Sequence, residues 1–514
     1  MAKYRDRSRD QAYMLPVHLA DQLQPGTFEH TIDYLVDNEI DLSGFDAQYH
    51  NDEVGAPAYD PAVLLKVVLF AYSRGITSSR RIARACEENV VFMALSADTR
   101  PHFTTIADFI SSMSEQIENV FTDVLTVCYT EGMIGKQMFA IDGCKISSNC
   151  SKEWSGSKAE LKKKAVKIES SVKALLEKHK EQDNTTVEEG QREREQRAAE
   201  NLKAKAKKVR EFLATNEDRI GTQGKPVKSN ITDNQSAKMP SSHGVIQGYN
   251  GIATVDEKNQ IVVDAQAFGD GHEAKHVETI IDSVDTTFRR LNSKLDIYKE
   301  AVVTADSGFH SEAATRAVLG RGIDAYIADT HFRKRDPRFS NQQEHKAKTT
   351  DKRRTSHARK YFTAAEFHFN NEGMLICPAG KPMKSRCPNW RDKVTGATGH
   401  TFMGHPEHCG SCTWRSRCIR KPSTRARQVT KIVPGILHDQ PTAAARMIER
   451  FDTDRGRHYY SRRMGTVEPV FANIRGNLGL DRFTLRGRER VDTRWKLFCT
   501  VHNIGKIAVH WREK

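Results

Sequence analysis

Two short apolar segments that each run into an aspartate constrain this chain more than any other feature. Asp142 ends the run Phe-Ala-Ile-Asp, and Asp306 ends the run Val-Val-Thr-Ala-Asp, so both acids stand where a strand is predicted to finish. Glu468 lies near the start of a third, amphipathic segment that reads Gly-Thr-Val-Glu-Pro-Val-Phe. The pattern favours an α/β fold in which three acids at element ends converge.

Carboxylates that converge repel one another unless cations lie between them. Mg²⁺ (or Mn²⁺) suits such a group, because hard cations bind carboxylate, water and phosphate oxygens. Two such ions activate an attacking oxygen and stabilise the leaving oxygen at a phosphorus centre. A lone Asp after a strand is more often a turn residue or a helix cap. Three acids in this order and context instead favour metal-dependent phosphoryl transfer.

At these residues the chain resembles the DDE transposases of bacterial insertion sequences. Asp142, Asp306 and Glu468 match the three acids of that family. The resemblance extends from about residue 15 to the C-terminus, apart from a charged insert at 151–224. It implies a catalytic domain with a ribonuclease H-like mixed sheet and flanking helices, and two metal ions ligated by the three acids.

The family also carries a Tyr and an Arg before its last acid and a basic residue after it. Tyr460, Arg463 and Arg475 fit these positions and by the resemblance would hold DNA phosphates beside the scissile bond. Two departures stand out: four residues rather than three separate Arg463 from Glu468, and Arg475 replaces the commoner Lys. The first departure leaves either Arg462 or Arg463 as the phosphate-binding arginine.

The charge of the chain is unevenly distributed. Residues 331–514 hold 39 Lys and Arg against 16 Asp and Glu, a net +23, whereas residues 1–330 carry a net −9. A strongly basic region is the electrostatic footprint of a protein that neutralises phosphates. A polyanion is therefore the expected partner, although charge alone predicts nonspecific association and no sequence preference.

Composition and periodicity divide the chain into four predicted parts. The N-terminal helices permit a DNA-binding helix-turn-helix or a simple helical packing module. Apolar residues at heptad-like spacing predict an antiparallel helical-hairpin insertion. Three strands followed by helix, strand, helix and strand match the ribonuclease H-like order. The parts are a helical domain at 1–130, a catalytic domain at 135–150, 225–330 and 441–514, the hairpin at 151–224 and a basic Cys-rich insertion at 331–440.

The Cys-rich insertion is loop-rich by its sequence and contains a set of cysteines with metal-ligand spacing. Cys409 and Cys412 form a C-x2-C pair, Cys418 follows six residues later, and Cys377 stands in a Cys-Pro-x-Gly sequence. Four thiolates favour a tetrahedral structural Zn²⁺ site. Cys387 competes with Cys377 for the fourth position, and reduced structural thiols are the alternative.

One further pair of residues is compatible with two interpretations. His272 and Glu273 follow the sequence Phe-Gly-Asp-Gly directly. A His-Glu pair permits a metal ligand or a general base, but the position favours a loop followed by a helix N-terminus.

The combined prediction is a transposase that binds the terminal inverted repeats of an insertion sequence and cuts and joins DNA with Mg²⁺. Its partners would be double-stranded DNA, at the element ends and at the target, and a second or further copy of the chain. The start of the chain lacks an apolar signal segment, and Lys66 interrupts the longest apolar run of the chain. These two features predict a cytoplasmic, nucleoid-associated protein without a membrane span. The alternatives are a metal-dependent nuclease without joining activity and an inactive, transposase-derived DNA-binding regulator.

Overall fold

The computed structural model describes residues 17–46, 57–182, 189–221, 224, 226–241, 244–339, 361–391, 398–431 and 442–513. These residues form a mixed α/β fold, as the sequence predicts. The start of the predicted N-terminal domain and the connection between the predicted hairpin helices lie outside the described ranges.

The N-terminal part is helical, and its longest apolar run forms a buried helix. Asp60 caps that helix by accepting a hydrogen bond from the Ala62 N–H at 2.8 Å, and Pro61 is its first residue, as predicted. Lys66 is paired with Asp33 at 2.7 Å and Asp37 at 2.6 Å, which offsets the burial of its charge. The helices are α1 (Phe28–Asn38), α2 (Ser43–Asp46), α3 (Pro61–Ser73), α4 (Ser79–Glu88), α5 (Val90–Leu95), α6 (Phe103–Ser112) and α7 (Ser114–Thr130).

The first strand, β1 (Met138–Ser147), is followed by two long antiparallel helices, α8 (Lys158–Gln182) and α9 (Glu189–Thr215). Leu161, Ala165 and Val209 are buried between these helices, which confirms the hairpin that the apolar spacing predicts. Short strand pairs lie at the base of the hairpin: β2 (Ser155–Gly156) with β5 (Ser229–Asn230), and β3 (Arg219–Ile220) with β4 (Pro226–Val227).

The elements after the hairpin are β6 (Ala237–Ser241), β7 (Gly244–Asp256), β8 (Val262–Phe268), α10 (Val277–Leu291), α11 (Ile297–Glu300), β9 (Val302–Ala305), α12 (Glu312–Gly320), β10 (Ala325–Ile327) and α13 (Phe332–Arg335). The main sheet has the order β10-β9-β1-β7, and the side of β7 away from β1 pairs with β6 along its first half and with β8 along its second half. Strand β7 runs antiparallel to β1, β6 and β8, whereas β9 and β10 run parallel to β1.

The Cys-rich insertion also contains a second, five-stranded antiparallel sheet, which the sequence did not predict. A small apolar core supports this sheet, with Phe367, Leu375, Met383, Phe402 and Val429 buried. Two of its strands have only two residues each, and the longest, β13, is mostly polar and basic, so the alternation is weak in the sequence. The elements are β11 (His368–Phe369), β12 (Leu375–Ile376), β13 (Pro382–Arg391), β14 (Thr398–Met403), α14 (Pro406–Gly410), α15 (Arg415–Cys418) and β15 (Gln428–Lys431).

Three helices complete the described chain: α16 (Ala443–Phe451), α17 (Asp454–Ala472) and α18 (Arg488–Glu513). Helix α17 contains Pro469 and continues into one π-helical turn at Asn473–Asn477. Helix α18 joins the N-terminal helices to the sheet in one continuous apolar core. Its Trp495 donates Nε1–H to the Ile252 carbonyl at 2.9 Å.

Candidate active site

Asp142 and Asp306 lie side by side on neighbouring parallel strands. Ile141 of β1 pairs with Ala305, the last residue of β9, so Asp142 and Asp306 are neighbours. Asp306 follows a strand end as predicted, whereas the prediction that a strand finishes at Asp142 is wrong, because β1 continues to Ser147 in its pairing with β7. The Gly143 N–H donates to Asp142 Oδ1 and the Gly308 N–H donates to Asp306 Oδ1, both at 2.8 Å. The topology thus brings two of the predicted acids together.

The electrostatics of Asp142 are those of a half-buried acid beside another acid. Burial raises the pKa of the Asp142 carboxyl, the Arg463 guanidinium opposes that rise, and the Asp306 carboxylate adds to it. Arg463 Nη1 donates to Asp142 Oδ2 at 2.7 Å, and only 8% of the Arg463 surface is exposed. The pair is therefore a buried, charge-assisted contact.

Arg463 reaches the aspartate from helix α17, which packs across β1 and β9. Its guanidinium carbon lies 5.4 Å from the centre of the Tyr460 ring, one turn earlier on the same face. Burial raises the pKa of Tyr460, and Asp306 adds to the rise. The neighbouring Arg462 instead forms an ion pair with Glu257. The structure thus brings Arg463, and not Arg462, to the two aspartates.

Glu468 lies on the same helix but on another face. Thr466, Val467 and Val470 are buried against the sheet, whereas Glu468 is exposed. Five residues at 3.6 residues per turn place it about 140° around the helix from Arg463. No hydrogen bond or ion pair of the Glu468 side chain is present within the described ranges. Its convergence with the two aspartates stays a prediction.

Arg475 lies in the π-helical turn that follows α17, where its side chain is exposed. Burial raises the pKa of the Cys144 thiol, and the Arg475 guanidinium, hydrogen-bonded to that thiol, opposes the rise. Cys144 follows Asp142 by two residues on β1. Arg475 therefore stands beside the strand that carries the first acid.

The sequence interpretation missed one acid at this site, Glu273. It opens a 3-10 turn after β8, and only 9% of its surface is exposed. Asn250 Nδ2–H donates to Glu273 Oε1 at 3.1 Å, and Lys145 Nζ lies 3.6 Å from the same oxygen. Burial raises the pKa of Glu273, Lys145 opposes the rise, and Asp306 adds to it more than Asp142 does. The signal was the His-Glu pair, which the sequence alone assigned to a loop.

In the part of the chain that the structure describes, no three His, Cys, Asp or Glu side chains take up a metal-holding arrangement. The donor types nevertheless fit a hard divalent cation, because the carboxylates of Asp142 on β1, of Asp306 after β9 and of Glu273 lie near one another. Asn250 adds a fully buried Oδ1 that has no hydrogen-bond partner among the described residues.

Two family models match the chain. One, described as a transposase DDE domain, covers residues 376–508, and the other, described as a transposase domain (DUF772), covers residues 17–112. The two matches indicate a DDE transposase of the insertion-sequence type. No curated protein matches it. Asp142 and Asp306 lie outside both matched ranges, whereas Arg463, Glu468 and Arg475 lie inside the first.

The transposase also gathers four of its cysteines at one small cavity. Cys377, Cys409, Cys412 and Cys418 line it, together with His405 and His408. Burial raises the pKa of Cys418, Arg427 opposes the rise, and the other three thiols add to it. Cys387 lies on β13 opposite Thr401. The geometry therefore groups Cys377, and not Cys387, with the other three.

Among the described residues of the transposase, no helix combines the length and the apolar composition needed to cross a membrane.

Proposed function

We propose that this transposase binds the terminal inverted repeats of an insertion sequence and catalyses Mg²⁺-dependent strand cleavage and strand transfer. The observation that carries the proposal is the pair formed by Asp142 and Asp306 on adjacent parallel strands, with Arg463 buried against one of them. Such a pair at a sheet edge suits phosphoryl transfer. The family matches support DNA as the substrate.

We infer a ribonuclease H-like catalytic domain from the order of the main sheet. An antiparallel run β1-β7-β8 followed by β9 and β10, both parallel to β1, supports that assignment. The domain would comprise residues 135–150, 225–330 and 441–514. Residues 1–130 would bind DNA ends, the hairpin at 151–224 would be an insertion, and 331–440 would be a basic insertion.

In this proposal Asp142, Asp306 and Glu468 ligate two Mg²⁺ or Mn²⁺ ions. The bound ions would supply an activated water or 3′-hydroxyl and stabilise the leaving oxygen. Glu468 is assigned by the family resemblance. Glu468 adjoins Pro469, which has no N–H and therefore leaves the Gly465 carbonyl, four residues earlier, without its helical partner. Gln260 Nε2–H donates to that carbonyl instead, at 3.0 Å.

The cationic residues of the site have complementary roles. Arg463 orients Asp142 and, with Tyr460 and Arg475, holds DNA phosphates beside the scissile bond. A guanidinium suits this because its planar fork binds phosphate oxygens in pairs. The exposed Arg475 is the one of the three most open to a DNA backbone.

The remaining parts of the proposal concern assembly. A structural Zn²⁺ held by Cys377, Cys409, Cys412 and Cys418 would stabilise the second sheet, whose apolar core is small. The transposase would act as a homodimer or larger assembly on double-stranded element ends and target DNA. It would reside in the cytoplasm, associated with the nucleoid.

The test uses the full-length protein and a DNA fragment that carries the sequences flanking its gene. We expect Mg²⁺-dependent nicking at the element ends and joining of pre-cleaved 3′-hydroxyl ends to a second DNA. Asp142→Asn should reduce both by roughly 10²–10³-fold, since several kcal/mol of transition-state stabilisation depend on the metal site. End binding should persist.

The matched control is Asp282→Asn, which removes an exposed carboxylate from α10 that pairs with Arg321. It should behave as the wild type. Cutting without joined product would support the nuclease alternative. Specific binding with no metal-dependent activity in the wild type would support the inactive regulator.

A further inference from the structure

Glu273 occupies a position that the three-acid pattern does not account for. Its side chain is buried and enters the site from the turn after β8, whereas Arg463 enters from helix α17. Its carboxylate oxygen Oε1 lies close to Gly143, which follows Asp142, and its Oε2 lies close to Gly308, two residues after Asp306.

Gly143 and Gly308 leave the space into which Glu273 fits. A Cβ atom on Gly143 would lie 3.0 Å from Glu273 Oε1, and one on Gly308 would lie 2.1 Å from Glu273 Oε2 and 3.0 Å from Asp306 Oδ1. Neither glycine has the left-handed backbone that would by itself require glycine. A Cβ at either position would therefore press on the Glu273 carboxylate, and at Gly143 also on the Asn250 amide.

The buried amide of Asn250 is a second, independent observation. Asn250 is fully buried, and its Nδ2–H donates to Glu273. Within the described part of the chain its Oδ1 has no hydrogen-bond partner, and this oxygen lies 2.9 Å from the position that a Cβ on Gly143 would occupy. Buried polar atoms are nearly always hydrogen-bonded or bound to a ligand. An unsatisfied carbonyl oxygen next to acids is a binding feature for a cation or its water.

We propose that Glu273 is a further carboxylate of the divalent-cation site at Asp142 and Asp306. The inference rests on the proposed function and adds a residue that the three-acid pattern does not contain. The competing explanation is structural, since Glu273 also faces Lys145 at 3.6 Å and would then serve only as its ion-pair partner.

The deciding experiment measures Mn²⁺ binding to the full-length protein, from the loss of the free-ion electron paramagnetic resonance signal. We expect Asp142→Asn and Glu273→Gln each to weaken binding by about 10-fold or more. The control is Glu278→Gln, whose side chain is 67% exposed on α10, and it should bind Mn²⁺ like the wild type. Wild-type affinity in Glu273→Gln would overturn the inference.

A second variant tests the geometry without removing the acid. Gly308→Ala should displace the Glu273 carboxylate and weaken Mn²⁺ binding, but it should cause no additional loss when combined with Glu273→Ala. Residues in contact show such non-additivity, whereas independent ones add. Additive losses would contradict the inference.

The outcomes also separate this inference from the proposed function. Loss of binding in Asp142→Asn with wild-type binding in Glu273→Gln would remove Glu273 alone from the site. Absence of Mn²⁺ binding in the wild type would overturn both.

Discussion

Replacing Arg463 with Met should destabilise the transposase in a manner that depends on pH. Arg463 is 8% exposed and its Nη1 lies 2.7 Å from Asp142 Oδ2. Methionine retains much of the buried side-chain volume but leaves the Asp142 carboxylate without its counter-charge. Removing one partner of a buried ion pair costs about 3–5 kcal/mol, because an uncompensated charge remains in the interior. We expect a loss of this size at pH 8.

The loss should shrink as the pH falls. Burial already raises the pKa of Asp142 above its unfolded value, and removing Arg463 raises it further. The unfolded chain then releases this proton at a lower pH than the folded chain does. The free energy of unfolding therefore falls as the pH rises from about 4 through the folded pKa, and levels off above it. Once the Asp142 carboxyl is protonated it needs no counter-charge, so the loss is smaller at the acidic end of this range.

The assay is urea unfolding of the wild type and Arg463→Met at pH 5 and pH 8, followed by circular dichroism and tryptophan fluorescence. The double variant with Asp142→Asn completes a cycle, whose coupling energy at pH 8 should reach about 2–4 kcal/mol. A destabilisation that is equal at both pH values, or a coupling energy below about 0.5 kcal/mol, would refute the argument.

Three other changes test parts of the fold around the site. Asn503→Leu should destabilise the protein by about 2–6 kcal/mol in the same unfolding assay, since its amide bonds to both the N–H and the C=O of one residue at the start of β8. Cys412→Ser should abolish the binding of one Zn²⁺ per chain, measured by release to a chelating dye, whereas Cys387→Ser should retain it. Gln260→Ala should remove the partner of the Gly465 carbonyl and lower the Tm slightly, with a loss of about 0.5–1.5 kcal/mol, since this exposed carbonyl can be hydrated.

Most of the scaffold of the site follows from local patterns in the sequence. Asp60 before a Pro and an apolar stripe predicted helix α3, and the strand-like runs before Asp142 and Asp306 predicted β1 and β9. These features depend on local periodicity, capping and turn chemistry, which a single sequence records. The proximity of the two aspartates followed from the expected pairing of those strands.

The parts that the sequence did not predict depend on contacts between distant segments. The second sheet joins strands that are far apart in the sequence, and the apolar residues of its core, such as Leu375 and Phe402, meet only after folding. Glu273 is separated from Asp142 by more than the whole hairpin insertion, and no local pattern marks it as buried. The small volume of Gly308 becomes informative only when the carboxylate that requires it is located.

One departure in the sequence does account for the position of Glu468. Residues four apart on a helix lie about 40° from each other, whereas residues five apart lie about 140° from each other. With three intervening residues, an Arg and a Glu on α17 would both face β1. With four, Arg463 faces Asp142 and Glu468 faces solvent. The extra residue therefore accounts for the exposed position of Glu468 in this arrangement. Glu273, which we propose as a further carboxylate of the cation site, comes from the turn after β8, so its position does not depend on the phase of the helix.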